Sequence, residues 1–298
     1  GNNNYGKLAI GTNTNTNYLQ PAQAQRMGAD GKLTPLTGII KISVGQRHVV
    51  CLDQEGVVWG WGQNAYGELG QDNTTVYPYA VRMKDPTGKG YLGINTPKVV
   101  DITGAGNYFL QSFSAVRDIS GNVYFAGIQM KDNSQARVPE KNYYLPYCFS
   151  DRYPNFKNAL SIRGGGTADH IFCLGPDHVV YGQGRTDPQA NNYMLGGSGN
   201  ARITGYEIIY INKSYAAGVF ITADGSVYGH GWNSTGNLGY SYKGQCVNAN
   251  WIIRDASGNT MNGTTAAGTF PLAIGSHTMT AVLKSDGRVY TAGNSATP

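Results

Sequence analysis

The residues able to carry chemistry are few, and their spacing argues against a catalytic centre. The five histidines are His48, His170, His178, His230 and His277. His48 and His170 each open an apolar run, HVVCL and HIFCL, and so share one position of a repeating pattern. A ring of imidazoles holding a metal would need that residue in most copies. The corresponding positions are read as Phe109, Ala217 and Met279. The expected role of His48 and His170 is therefore a hydrogen bond from the ring to neighbouring backbone. His178 and His230 stand singly and read as turn or surface residues. Cys51 and Cys173 also share a repeat position inside apolar runs, as buried small hydrophobes do. Cys148 and Cys246 lie in insertions and could pair only if those insertions meet. There is no CxxC, HExxH, EF-hand loop or GxSxG. GKG at 88–90 and GADGK at 28–32 lack the spacing of a phosphate-binding loop, and no helix is expected after RGGGT at 163–167. Carboxylate pairs meet only in space, but Asp and Glu together number 18 and most sit in turns. The expectation is a protein that is not an enzyme, with no catalytic residue, no metal and no cofactor.

The elements that must position these residues follow from composition. The chain has 298 residues, 42 of them Gly and 21 Tyr, and only 14% are charged. Ordinary globular chains carry about 25% charged residues and about 7% Gly. With 40% hydrophobic residues the chain has enough apolar side chains to fold, and no run approaches the length of a membrane helix. The net charge of +5 is scattered, with no run of three Lys or Arg, so specific nucleic-acid binding is not expected. Four Cys in so long a chain do not make a disulfide scaffold. What remains is a turn-rich, aromatic-rich, all-β protein.

Internal repetition gives that class its form. Five segments read GVVWGWG (56–62), GNVYFAG (121–127), HVVYGQG (178–184), GSVYGHG (225–231) and GRVYTAG (287–293). Their anchors, Val58, Val123, Val180, Val227 and Val289, are 65, 57, 47 and 62 residues apart. A tight turn precedes each, at Glu55-Gly56, Ser120-Gly121, Asp177-His178, Asp224-Gly225 and Asp286-Gly287. Asp-Gly predicts a type I′ hairpin turn, which needs positive φ at both central residues. Upstream lies a second short apolar strand: HVVCL (48–52), LQSFSAV (110–116), HIFCL (170–174), GVFIT (218–222) and MTAVL (279–283). The phrases GQNAYGELG (62–70) and GWNSTGNLG (231–239) follow two of the hairpins. The same phrase, GNNNYGKLAIG, occupies residues 1–11 with no hairpin before it, while the last unit stops just after its hairpin. The expected result is a ring whose last blade is built from both chain ends, which removes unpaired sheet edges. The pattern covers one domain, 1–298, with units near 45–70, 106–129, 166–196, 214–239 and 275–298 completed by 1–11.

The motif GQRHVVCLDQEGVVWGWGQNAYGELG (45–70) resembles the repeat of the RCC1 (regulator of chromosome condensation) family of β-propellers almost throughout. Residues 214–239 resemble it from Phe220 onward. Unit two keeps Gly106 and Val123-Tyr124, with Phe109 at the His position; unit three keeps His170; unit five has Gly275 and His277 out of register. The resemblance implies an all-β propeller, here of five blades, fewer than is usual in the family. Trp59, Tyr124, Tyr181, Tyr228 and Tyr290 hold one repeat position and are expected in the core. Leu69 and Leu238, with Leu8 and Leu195, are expected to pin the following segment.

The insertions at 11–41, 71–98, 129–158 and 240–271 are polar and rich in Tyr, Asn and Gly, as binding loops are. The densest, KNYYLPYCFSDRYPNF (141–156), brings together aromatic rings and an arginine, the residue types of binding hot spots. Tyr143, Tyr144, Tyr147, Arg152 and Tyr153 are the predicted partner-binding residues, and Phe149 and Phe156 lie among them. The opposing expectation is that half of these rings complete outer strands. The function expected is a non-catalytic recognition or adhesion module binding a protein or cell-surface glycan, within a longer surface or virion protein, with oligomerisation left to flanking regions. Two alternatives follow from the resemblance: an intracellular regulatory scaffold or guanine-nucleotide exchange factor, and a secreted enzyme inhibitor.

Overall fold

All five expected hairpins form, and each closes through the same turn. The computed structural model describes residues 1–106, 112–130, 139–164, 170–184, 200–201, 207–213, 217–233, 236, 238, 245–254, 257–259, 272–274, 279–284 and 287–293. The turn is a four-residue one. The N–H of Gly56, Gly121, His178, Gly225 and Gly287 donates to the carbonyl three residues earlier, at 2.8–3.1 Å. In the first four hairpins only this fourth residue takes positive φ, from 58° at His178 to 87° at Gly56 and Gly225; Gly287 also has positive φ, beside residues 285–286 that lie outside the described ones. In those four hairpins the turn is thus type I followed by a left-handed residue, not the type I′ turn expected from Asp-Gly. In the first hairpin the acidic residue that matters is Asp53, at the first turn position, whose carboxylate accepts the N–H of Glu55 and of Val57.

The chain divides into two compact units, Gly1–Met130 with Pro139–Ala168, and Lys131–Val138 with Asp169–Pro298. In the first unit the strands are β1 (Gln25–Met27), β2 (Leu33–Pro35), β3 (Ile39–Val44), β4 (His48–Asp53), β5 (Val58–Gly62), β6 (Tyr77–Arg82), β7 (Val99–Gly106), β8 (Ser112–Asp118), β9 (Val123–Met130), β10 (Pro139–Cys148) and β11 (Ser161–Gly164). They form a sheet of order β2-β1-β6-β5-β4-β3 and one of order β10-β9-β8-β7. The hairpins β4–β5 and β8–β9 are therefore the middle of each sheet. The first strands, β3 and β7, were not foreseen, and the outer strands, β6 and β10, are drawn from the insertions. The β1–β2 hairpin is an addition to the first sheet, joined to β6 in parallel at Arg26 and Ala80.

In the second unit the strands are β12 (His170–Leu174), β13 (Val180–Gly184), β14 (Asn200–Ala201), β15 (Ile208–Lys213), β16 (Ala217–Thr222), β17 (Val227–Trp232), β18 (Gln245–Ile252), β19 (Leu272–Ile274), β20 (Met279–Leu283) and β21 (Val289–Gly293). The hairpin β16–β17 is again the middle of its sheet, of order β15-β16-β17-β18, whereas among the described residues β20–β21 is flanked by β19 alone, in the order β19-β20-β21. The blade expected from both termini draws on residues 294–298, which lie outside the described residues.

Pairing also corrects one alignment. His48 faces Gly62, His170 faces Gly184, Ala217 faces Gly231 and Met279 faces Gly293. The residue facing the equivalent Gly127 is Phe113, not Phe109, because the second repeat carries extra residues before β8. Phe109 itself lies outside the described residues. The glycine at this exit is obligatory. At Gly62 (φ 102°) a Cβ would meet the Arg47 carbonyl oxygen at 2.5 Å, and at Gly127 (φ 111°) the Ser112 carbonyl oxygen at 2.6 Å.

Between the first two sheets the core is aliphatic, with Val50, Leu52 and Val58 against Val99, Ile102 and Val116. A polar tie crosses the same interface, the N–H of Gly104 on β7 donating to Ser43 Oγ on β3 at 2.8 Å, and the N–H of Gly164 on β11 donates in the same way to Thr103 Oγ1 on β7 at 2.7 Å. Buried Asp101 takes Lys41 and Arg163 as ion-pair partners and accepts the N–H of Ile162. Burial opposes its charge, but the two cations outweigh burial and hold its carboxyl below the usual range. Three successive first strands, β3, β7 and β11, are thereby tied to one carboxylate.

The post-hairpin phrase is a repeated device. Asn3, Asn64 and Asn233 are fully buried, and each side-chain oxygen accepts the N–H of the residue five positions on, Leu8, Leu69 or Leu238. Leu69 and Leu238 are buried as expected, Leu8 is half-buried, and Leu195 lies outside the described residues. The phrase at 62–70 lies against β10, where a Cβ on Gly67 would meet Tyr144 Cα at 2.5 Å. The phrase at 1–11 lies against β6 in the same way, and a Cβ on Gly6 would meet Pro78 Cα at 2.5 Å.

Candidate functional site

The predicted binding residues fall on β10 and on α1 (Phe149–Arg152), the single turn of helix that follows it. β10 is the outermost strand of the second sheet and pairs with β9 from Pro139↔Met130 to Cys148↔Tyr124. The register shifts between Tyr143 and Tyr147, where a bulge turns the strand. Tyr143 and Tyr147 stack, with ring centroids 3.9 Å apart and planes 26° from parallel. Behind them Phe125 touches both rings, and Phe113 and Phe149 stack on Phe125. Phe149 and Phe156 are buried and belong to the core.

Polar groups lock this stack from one side. Tyr147 donates its hydroxyl to Gln129 Oε1 at 2.5 Å. Gln129 Nε2 donates to Tyr153 Oη at 2.6 Å and to Glu140 Oε2 at 3.1 Å. Arg152 pairs with Glu140 and reaches Tyr143 Oη at 3.3 Å. Its guanidinium also lies over the Tyr153 ring, and Lys141 lies over Tyr143. Burial pushes the Tyr147 phenol upward, so it stays protonated and donates. The hydrogen bond to Glu140 raises Arg152 further.

Tyr143, Tyr147, Arg152 and Tyr153 thus form one network. Tyr144 is not part of it: the ring is 38% exposed, and its carbonyl accepts the N–H of Asp72. Gln129 and Glu140, which organise the network, were missed. The only sequence sign of them was their place at the edges of the aromatic segment. Chemically the arrangement offers rigid aromatic faces with phenol and guanidinium groups at the edge, which suits contact with a macromolecule.

The other repeat positions have structural work. His48 is buried, with Nε2 3.1 Å from Ser114 Oγ on the neighbouring sheet. His178 is the left-handed turn residue, its Nδ1 2.9 Å from the Ile208 carbonyl oxygen. The side chain of His230, like all of His277, lies outside the described residues. Trp59, Tyr124 and Tyr228 are buried, whereas Tyr181 and Tyr290 are half-buried. Three of these rings also tie down their own turn: Trp59 Nε1 donates to Asp53 at 2.8 Å, Tyr124 Oη to Asp118 at 3.4 Å and Tyr181 Oη to Asp177 at 2.6 Å. Cys51 and Cys173 are buried thiols; burial pushes Cys51 up to about 12 and also raises Cys173. Cys148 is free; the Cys246 side chain lies outside the described residues. Among the described residues no group of three or more His, Cys, Asp or Glu is placed to hold a metal, and no helix is long and apolar enough to cross a membrane.

Two models of the regulator of chromosome condensation (RCC1) repeat match the sequence, over residues 39–68 and 55–110. No curated protein sequence matches the chain. Among solved structures, human WBSCR16 is similar with a TM-score of 0.61 at 15% identity, over 85% of this chain and 61% of that one. Prp20p from Saccharomyces cerevisiae is similar with a TM-score of 0.58 at 20% identity, over 87% of this chain and 57% of that one. The chain therefore spans about three fifths of the length of these structures. It is an all-β chain of RCC1-like repeats with the fold of the RCC1-like propellers.

Proposed function

We propose that this chain of RCC1-like repeats is a non-catalytic recognition module that presents the outer strand of its second sheet to a protein partner. The observation that carries the reading is the Tyr143–Tyr147 stack, held by Gln129, Glu140 and Arg152 with Tyr144 exposed beside it. Rings already fixed in place lose little freedom on binding, so their contact area converts efficiently into affinity. The similar Prp20p, whose structure was described with its binding properties to Gsp1p and histones, lends support to a protein partner. A role without catalysis is supported by the use of the repeat histidine and thiols in packing, where burial depresses His48 to about 4 and raises both thiols.

The finer form of the proposal is adhesion or receptor binding at a cell or virion surface. It rests on the low charge and the Tyr/Asn-rich insertions, which make a polar but uncharged contact surface. The test is a binding screen of the chain against cell-surface proteins and a glycan array, repeated with Tyr144→Ala and Arg152→Ala. A protein ligand lost in both variants supports the reading. Ligands bound equally by wild type and both variants overturn it, and binding confined to glycans overturns the protein partner.

A further inference from the structure

The first sheet holds a second cluster, in which two arginines outside the repeat pattern and outside the Tyr143 surface gather on the repeat aromatic Trp59. Trp59 on β5 lies beneath two guanidinium groups, with Arg82 Cζ 5.0 Å and Arg26 Cζ 5.4 Å from its ring. Arg82 also lies 5.8 Å from the Tyr91 ring. Both arginines are half-buried, and the Nε of each is buried with no hydrogen-bond partner. Among the described residues neither has a carboxylate within 4.0 Å. The acid beside Trp59 is already engaged: Asp53 accepts from Trp59 Nε1 and from two backbone N–H groups.

The fold does not demand these cations. Arg82 is the cross-strand partner of the repeat aromatic Trp59. At the same place Tyr124 faces Cys148, Tyr181 faces Asn200 and Tyr228 faces Ile252. Arg26 comes from the β1–β2 hairpin, an addition to the first sheet that meets β6 at Ala80, two residues before Arg82. Two partly buried guanidinium groups over one ring, with no counter-charge among the described residues, leave two positive charges unbalanced and each a buried Nε–H without a partner. Such a pair is completed by an anion. The planar forks, pre-set by stacking on Trp59, match the two oxygens of a carboxylate or phosphate.

We infer that Arg26, Trp59 and Arg82 form an oxyanion-binding site at the outer edge of the first sheet, which takes a carboxylate or phosphate group. Its residues are separate from the Tyr143 surface, so either assignment can fail alone. The experiment follows the Arg Nε–H and Trp Nε1–H resonances of the full chain by NMR at constant ionic strength. The probes are sodium phosphate, sodium acetate and a short oligoglutamate peptide. Saturable shifts of the Arg26, Arg82 and Trp59 signals are expected in the millimolar range, with phosphate or with the two carboxylate probes, and the stronger response identifies the group. Arg26→Gln and Arg82→Gln should each weaken binding roughly tenfold, the usual loss of a charged hydrogen bond. Lys157→Gln, an exposed cation elsewhere, should leave binding unchanged. If Arg82→Gln disturbs folding, Arg26→Gln decides, because Arg26 lies outside the repeat. Shifts that fail to saturate with every probe, or equal affinity in Arg26→Gln and wild type, overturn the proposal.

Discussion

His48 on β4 places its Nε2 3.1 Å from the Oγ of Ser114 on β8, so one ring joins two successive sheets. It is buried, and burial lowers its pKa from 6.5 to about 4. As pH falls, the unfolded chain takes up this proton first. Stability that is fully present above 6.5 is therefore lost between 6.5 and about 4. The loss is up to about 3 kcal/mol for this group. Denaturant titrations across that range should show the decline, and His48→Gln should flatten it.

Glu68 carries the opposite sign. Its carboxylate is fully buried, accepts the Ser112 hydroxyl at 2.7 Å and the Tyr66 N–H at 2.8 Å, and is raised above 4.5 because burial outweighs both. The unfolded chain ionises first as pH rises, so this group costs stability above 4.5. Glu68→Gln removes that cost. Its melting temperature relative to wild type should be more favourable near pH 7 than near pH 4.

Val227 is fully buried among Val219, Ile221, Leu238 and Ile253. Val227→Asp places a charge there with no partner to offset it and should cost more than about 4 kcal/mol. Loss of the cooperative melting transition is the expected result.

The binding segment divides by the same reasoning. Tyr147 is packed on Phe125 and hydrogen-bonded to Gln129, so Tyr147→Ala should cost about 3 kcal/mol. Tyr144 is exposed, and Tyr144→Ala should cost about 1 kcal/mol or less. Urea titration of both variants distinguishes core from surface.

Legibility followed the range of the interactions. The five hairpins were readable because Val58-Trp59 and its equivalents, the turn and the exit glycine lie within a few residues of one another. The turn type was misread because the left-handed conformation falls on Gly56 alone while Asp53 caps from the first position. The first strands escaped notice: IIKISV alternates exposed and half-buried residues and has no run of its own. Phe113 was misplaced by extra residues before β8 that only the pairing with Gly127 reveals. The aromatic segment at 141–156 was readable as a cluster, but its division was not. Gln129 reaches it across a strand pair, and a lone Gln carries no motif. Arg26 and Arg82 are 56 residues apart in sequence, and only the fold brings each of them over Trp59.

The central claim is that the outer strand of the second sheet is where a protein partner docks. It is tested most directly by placing a photo-crosslinking amino acid at position 144 and, as a control, at Leu19, which is 96% exposed. Irradiation is done with candidate partners present, with and without excess unlabelled chain as competitor. A discrete adduct formed from position 144 and not from 19, suppressed by wild-type competitor but not by Tyr144→Ala, is the predicted result. Equal suppression by wild type and Tyr144→Ala would contradict the account.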